Sequence, residues 1–479
     1  MAERTVSETW SVVMTGEQWQ LLNGHLFPGD GDEHGAVLRC GIARSPRGTR
    51  LLVHEVVPAV DGVDYVEGSR GYRKLTASFV ASNIDVCADG GFAYLAVHNH
   101  GGRDHVSFSE TDLGSHVRGY PALLDINDGV PVGALVFARN AVAGDIWTDD
   151  GKRHSVKHLR VVGRPQLIIT PAPVPHAAAD TTYDRQARIF GDRGQAILAD
   201  CKVAVVGLGG GGSLIAEYLG RLGVGELILI DPDRLDPTNL PRVVGARQID
   251  CLPSLQRKTR PRWMQRLGAR LARRKVNIAK RVARQSSKTV RVTAIARSVI
   301  DADVASLLTD CDHIFLAADS ALARRLVNSI THQYFVPHTQ VGAKVTIVEG
   351  RVADIFSVSR MSSPGSGCLQ CNGLIPAWRL TEEATSEVQR NRQRYVDDDN
   401  VHAPSVISLN AVAAARAVDD WLMSVGGLTD ELAGADHWIA YHPLTDDAVE
   451  HDPIKSANCR HCGQPRLGLG DLGHLPTRP

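Results

Sequence analysis

The chain predicts an α/β protein of more than one domain, and three observations carry that expectation. Continuous apolar runs at 203–206, 226–230 and 313–318 are separated by helical material, as expected for parallel strands buried on both faces of a doubly wound sheet. The first of these, within Cys201–Val206, leads directly into Gly207-Leu208-Gly209-Gly210-Gly211-Gly212-Ser213. The first 160 residues differ, with short strand-like runs at Ala36–Cys40, Leu51–Val57 and Ala93–Val97. At 479 residues the chain exceeds one typical core.

Between the two regions, Gly163-Arg164-Pro165 and Pro171-Ala172-Pro173-Val174-Pro175 read as an extended linker, because proline donates no ladder hydrogen bond. Residues 181–199 read as helical. The stretch 257–284 is densely basic and reads as a solvated helical insertion, with a docking face for phosphate, nucleic acid or an acidic partner as the competing reading. The tail from Gly463 reads as irregular and docked on a partner. Equal numbers of basic and acidic residues, 53 each, argue against a general nucleic-acid binder. The polar start MAERTVSETW and the lack of a bilayer-length apolar run argue against a signal segment or membrane span, so cytoplasm is the expected location. Of nine cysteines, Cys40, Cys87, Cys201, Cys251 and Cys311 sit mostly in apolar runs and are expected in cores.

His98 and His100 alternate by two and share a face if the strand through Val97 continues. Asp112, on a following helix, can return a carboxylate. Two imidazoles, a carboxylate and a water suit zinc with an open position. Glu33 can take and deliver the proton of that water, and Ser109 can donate to a developing oxyanion. Ordinary strands also carry histidines two apart, so spacing alone leaves both readings open; His105 and His116 are expected in loop or surface roles. The set Glu33, His98-x-His100 and Ser109-Glu110-Thr111-Asp112 resembles the JAB/MPN family of zinc isopeptidases. The resemblance implies an α+β domain with a mixed sheet, catalytic zinc on His98, His100 and Asp112, and Glu33 as acid/base. Gly101 stands where that family usually has proline, so the loop after His100 departs from the family pattern.

The glycine loop can wrap backbone N–H groups around phosphate at Gly207, Gly209, Gly210 and Gly212. Asp231, ending the next apolar run, lies where a ribose acceptor belongs, a pattern equally suited to a nicotinamide dehydrogenase. The longer run Asp231-Pro232-Asp233 to Asn239-Leu240-Pro241-Arg242 resembles E1-like and ThiF-type adenylyltransferases. So do Tyr183-Asp184-Arg185-Gln186, Lys275-Val276-Asn277 and Ala317-Ala318-Asp319-Ser320. That resemblance implies a Rossmann-like domain binding ATP and magnesium. It implies Asp231 on ribose, Asn239, Arg242 and Lys275 on phosphates, Asp319 at magnesium, and Arg185 reaching across a homodimer. The 32 residues between Arg242 and Lys275 exceed the family's short spacing, so Lys280 competes with Lys275.

Cys368-x-x-Cys371 and Cys459-x-x-Cys462 have the spacing of a closed four-thiolate structural zinc site. Many E1-like proteins carry a catalytic cysteine between such pairs, but residues 372–458 contain none. The expected organisation is therefore a JAB/MPN-like metallopeptidase domain over 1–162, then a linker and the adenylation module's N-terminal helix over 163–196. An E1-like domain follows over 197–479, with a basic insertion at 250–274. The expected function joins precursor processing or isopeptide cleavage to adenylation of a ubiquitin-like or sulfur-carrier protein's C-terminus, for an E2-like or other acceptor. Alternatives are short-peptide adenylation in natural-product synthesis, or partner docking with one inactive centre.

Overall fold

A computed structural model describes residues 9–66, 73–163, 166–175, 178–287, 289–349, 351–384, 405–425, 438–456 and 458–478. Residues 164–165 of the expected linker, and 385–404 and 426–437 of the cysteine-free segment, lie outside these. The chain forms two compact units. One comprises 1–175 with 332–335 and 463–474, and the other holds the rest.

In the first unit the strands are β1 (Trp10–Thr15), β2 (Gly35–Ser45), β3 (Gly48–Pro58), β4 (Ala93–Asn99), β5 (Val132–Phe137), β6 (Val142–Trp147), β7 (Arg153–Val162) and β8 (Leu167–Ile169). They form one mixed sheet in the order β1-β3-β2-β4-β5-β6-β7-β8, and a further parallel pairing of β1 with β7 bends the sheet back on itself. Strand parity divides the side chains. Leu38, Cys40, Leu95 and Val97 enter one core with Trp19, Leu22 and Leu26 of α1 (Gly16–Leu26). Val37 and Tyr94 face the other way, toward α2 (Ala77–Gly90) and α3 (Glu110–Ile126). The runs Ala36–Cys40, Leu51–Val57 and Ala93–Val97 fall within β2, β3 and β4.

The tail that reads as irregular in sequence packs within this unit. The Gly470 backbone bridges Ile42 in parallel, and His54 Nδ1 lies 2.7 Å from the Leu467 carbonyl. Gly41 has no room for a side chain there, since a Cβ would lie 2.1 Å from the Gly468 carbonyl oxygen.

The second unit carries β9 (Lys202–Val206), β10 (Glu226–Ile230), β11 (Arg291–Ile295), β12 (His313–Leu316), β13 (His338–Val348), β14 (Arg351–Ser362), β15 (Trp438–His442) and β16 (Asp447–His451), in the order β11-β10-β9-β12-β13-β14-β15-β16. From β11 to β13 all pairings are parallel, and the apolar runs of the sequence fall in β9, β10 and β12. Beyond β13 the sheet continues antiparallel, an extension with no counterpart in the sequence reading. Residues 181–199 form a short 3₁₀ turn and then α4 (Asp184–Asp200), broken at Gly191 with φ 69°. A buried core of Val203, Val205, Leu227, Leu229, Phe315 and Trp421 joins the sheet to α5 (Gly210–Leu222) and to the helix Ile407–Val425. The basic insertion folds as α6 (Gln248–Cys251), α7 (Pro253–Gln256) and α8 (Arg262–Leu271), followed by α9 (Lys275–Ser286). Cys40, Cys87, Cys201, Cys251 and Cys311 are all buried free thiols.

Candidate functional site

In the first unit, His98 shares the parity of Tyr94, so it leaves β4 on the side covered by α3. Ser109 caps α3, and its hydroxyl accepts from the Asp112 N–H at 3.1 Å. Asp112 reciprocates: its Oδ2 accepts from the Ser109 N–H at 2.8 Å and from the Ser109 hydroxyl at 2.7 Å. The hydroxyl that sequence offers to an oxyanion is thus engaged in aiming Asp112. His98 Nε2 and His100 Nε2 stand 3.1 Å apart, and Asp112 Oδ2 is 3.5 Å from the first and 3.3 Å from the second. Ligands bound tetrahedrally at about 2.0–2.1 Å from zinc would be separated by about 3.3 Å, so these donors fit such an ion without rearrangement.

Glu33 Oε1 lies 4.0 Å from His100 Nε2. Burial, the largest influence on Glu33, raises its carboxyl above the ordinary glutamate range against the pull of both histidines. Burial acts on Asp112 in the same sense, but hydrogen bonds from His98 and Ser109 outweigh it and hold that carboxyl low. Asn99, between the two histidines, escapes the sequence reading. It is buried, its Oδ1 accepts from the His34 N–H at 2.6 Å, and its Nδ2 reaches the Asp32 carbonyl at 3.5 Å. It therefore clasps the backbone on both sides of Glu33. His116 is buried against Phe108 and Tyr120, not at the surface as its polarity implies.

In the second unit, strand order reverses at β9, with β10 on one side and β12 on the other, which opens a crevice beyond their C-terminal ends. Gly207 turns out of β9 with φ 87°, and a Cβ there would meet the Ala318 nitrogen at 2.8 Å. At Gly212 a Cβ would lie 1.8 Å from the Gly207 carbonyl oxygen, and at Gly210 it would lie 2.5 Å from Asn410 Nδ2. At Gly209, the N-cap of α5, it would meet nothing within 4 Å, which leaves an open cradle at a helix N-terminus.

Asp231 is buried and secures this loop, its Oδ2 accepting from the Leu208 N–H at 2.7 Å and its Oδ1 from the Asp233 N–H at 2.8 Å. Lys275 Nζ lies 2.8 Å from Asp233 Oδ2 and 3.9 Å from Asp231 Oδ1. The long insertion therefore leaves the sheet and returns Lys275, rather than Lys280, to the end of β10. Asn239 is buried in a 3₁₀ turn capped by Asp236. Arg242 buries an Nε without a hydrogen-bond partner among the described residues, a donor suited to phosphate oxygen. Asp319 is exposed just beyond β12 and lines a pocket of about 280 Å³ with Ser298, Ser320, Arg379 and Glu383. Glu383, which no motif flags, accepts from the N–H groups of Ala321 and Leu322 and from the Ser320 hydroxyl. Arg185 is exposed in the first turn of α4.

The four remaining cysteines converge, each offering a sulfur within 4.8 Å of the others. Cys368 and Cys459 Sγ are 3.8 Å apart, Cys371 and Cys462 Sγ 3.7 Å. A disulfide needs about 2.05 Å, whereas sulfurs at about 2.3 Å from a tetrahedral zinc are separated by about 3.8 Å. The hydrogen bond with Cys368 and burial push the Cys462 thiol well above its usual range, a cost that a bound cation reverses.

The ThiF family model matches residues 183–460, more than half of the chain, and the chain belongs to that family. It is 28% identical over 284 residues to the molybdopterin-synthase adenylyltransferase of Escherichia coli (strain K12), covering 59% of this chain and 96% of that one. A segment of 69 residues is 41% identical to the SAMP-activating enzyme E1 of Haloferax volcanii, covering 13% of this chain and 26% of that one. Among solved structures, E. coli MccB with succinimide covers 60% of this chain and 77% of its own at 20% identity, with a TM-score of 0.44.

Proposed function

We propose that the second unit adenylates the C-terminal carboxylate of a ubiquitin-like or sulfur-carrier protein, and that the first cleaves a precursor tail or isopeptide bond. The observation that carries the adenylation reading is the glycine cradle at the strand-order reversal, with Asp231, Lys275 and Arg242 around it. The near full-length likeness to a relative named as an adenylyltransferase supports the same reading. A carboxylate oxygen attacks the α-phosphorus of ATP, the bond to the β-phosphate oxygen breaks, and pyrophosphate leaves. Arg242 and Lys275 offset charge growing on the phosphates, and Lys275 gives up Asp233 to do so. Asp319 would hold magnesium together with substrate phosphates, since that ion needs few protein carboxylates. Arg185 acts from the partner subunit of a homodimer. With no cysteine in residues 372–458, the adenylate passes to an acceptor amine, hydroxyl or partner thiol.

In the first unit, zinc would polarise the scissile carbonyl when bound by His98, His100 and Asp112. Glu33 takes a proton from the attacking water and returns it to the departing amine, while Asn99 holds the Glu33 backbone and Ser109 holds Asp112. A JAB/MPN-type metallopeptidase fits this division of roles, and trimming yields the carboxylate that ATP then activates. The domain limits proposed are 1–162, 163–196 and 197–479, except that 332–335 and 463–474 pack with the first unit.

ATP–pyrophosphate exchange, run with small ubiquitin-like and sulfur-carrier proteins and with short peptides, tests the first half. Exchange driven by a carrier protein and lost in Arg242→Ala is expected; exchange driven only by unrelated peptides rejects the carrier reading. Cleavage of a C-terminally extended carrier, lost on chelation and regained with zinc, is expected of the other half.

A further inference from the structure

The insertion between Arg242 and Lys275 carries a face that neither proposed reaction uses. Successive residues of α8 turn by about 100°, so positions four apart form adjacent rows. Met264, Gln265, Gly268 and Ala272 form the inward row, and Gly268 is so close to α7 that a Cβ would lie 2.8 Å from Leu255 Cβ. Beside it runs an exposed apolar row: Trp263, Leu267 and Leu271, at 66%, 42% and 58% exposure. Beyond that runs a row of exposed arginines, Arg262, Arg266 and Arg270, none paired with an acid among the described residues. Residues 256–274 contain no Asp or Glu to neutralise them.

We propose that this face docks a protein partner whose apolar patch is rimmed by carboxylates, and that the partner is the substrate whose C-terminus enters the nucleotide crevice. The inference rests on the adenylation reading for the partner's identity. Burying indole and leucine surface supplies affinity, while the arginine row beside it selects acid and repels base. Location supports the assignment. Leu271 precedes Lys275 by four residues, at most about 14 Å of extended chain, so a protein seated on α8 has its terminus within reach of the crevice. A second copy is a poor occupant, because a two-fold contact would gather six arginines, three from each α8, without an acid from either helix.

The test measures binding of small acidic ubiquitin-like and sulfur-carrier proteins from the same genome to the full chain by calorimetry. Two variants, Trp263→Ser/Leu267→Ser and Arg262→Glu/Arg266→Glu/Arg270→Glu, alter solvent-facing positions, and circular dichroism checks their fold. Each is expected to weaken carrier binding about tenfold or more. Exchange stimulated by a peptide of the carrier's C-terminal residues alone should be unchanged. A carrier with its acidic rim reversed to lysine should bind the charge-reversed chain better than the original. The proposal is overturned if no acidic carrier binds or if both variants bind it as the parent does. It is equally overturned if α8 instead governs binding to phosphatidylserine vesicles, duplex DNA or a second copy. Carrier binding through α8 without any pyrophosphate exchange would remove the adenylation reading and leave the docking face standing.

Discussion

Glu33 and Asp112 are two carboxylates on one small site with opposite tendencies: burial raises the first, and donated hydrogen bonds keep the second ionised. That separation suits a proton carrier beside a permanent ligand. Glu33→Gln is expected to lower cleavage at least about a hundredfold. Zinc content by mass spectrometry should stay at the parent level, because Glu33 is not among the three converging donors; loss of zinc with activity would refute the division of roles. The convergence of His98, His100 and Asp112 was legible in sequence because groups able to hold a metal are particular residue types at short spacings. Asn99 was not, since an amide between two histidines looks the same whether it faces solvent or clasps a loop 65 residues away.

At the scale of elements, the β9–α5 turn and the insertion each depend on one tight device. Gly207→Ala would combine a left-handed φ with a contact at 2.8 Å, costing on the order of 1–3 kcal/mol. A lower melting temperature and weaker ATP binding in equilibrium dialysis are expected together, and an unchanged variant would mean the turn is not built as described. The insertion is tied down by buried Asp250, which accepts from Arg281 at 2.7 Å and pairs with Arg273 at 2.9 Å. Burial raises the Asp250 carboxyl, but these arginines and the Arg247 N–H bring it below the usual value. The depressed folded-state pKa means that this stabilisation is full above the unfolded value of about 4 and is lost as pH falls through the folded one. Hydrogen-exchange protection factors in α8, taken against the intrinsic exchange rate at each pH, should therefore fall in acid, and Asp250→Asn should blunt that response. Of the parallel strands, β9, β10 and β12 were readable as apolar runs, while β11 and β13–β16 were not, because polar residues such as Thr293, His338 and Gln340 interrupt their apolar pattern.

For the whole molecule, distant segments are joined by a few points. The two cysteine pairs, 91 residues apart in their Cys368–Cys459 contact, would lose their clamp on chelation. Cys371→Ser is expected to lower the melting temperature of the second unit and reduce bound zinc by one equivalent; equal zinc content would show that the four thiols are not the site. Truncation after Cys462 removes the tail that lies on Ile42 and His54, and should destabilise the first unit. Faster limited proteolysis of residues 1–175 is the readout, and an unaltered rate would show the tail to be dispensable.

The sequence alone determined the chemistry on offer: which donors stand near one another, where glycine frees a phosphate loop, and which four sulfurs pair. Those features depend on residue type over short spacings, and they survive without knowledge of the fold. Only the tertiary structure decided that Asn99 grips the Glu33 loop and that Glu383 caps the helix after Asp319. It also decided that the tail belongs to the first unit and that α8 leaves an apolar row uncovered. Each of these is a contact between residues far apart in the chain, or a face left over after packing, and no local periodicity encodes either.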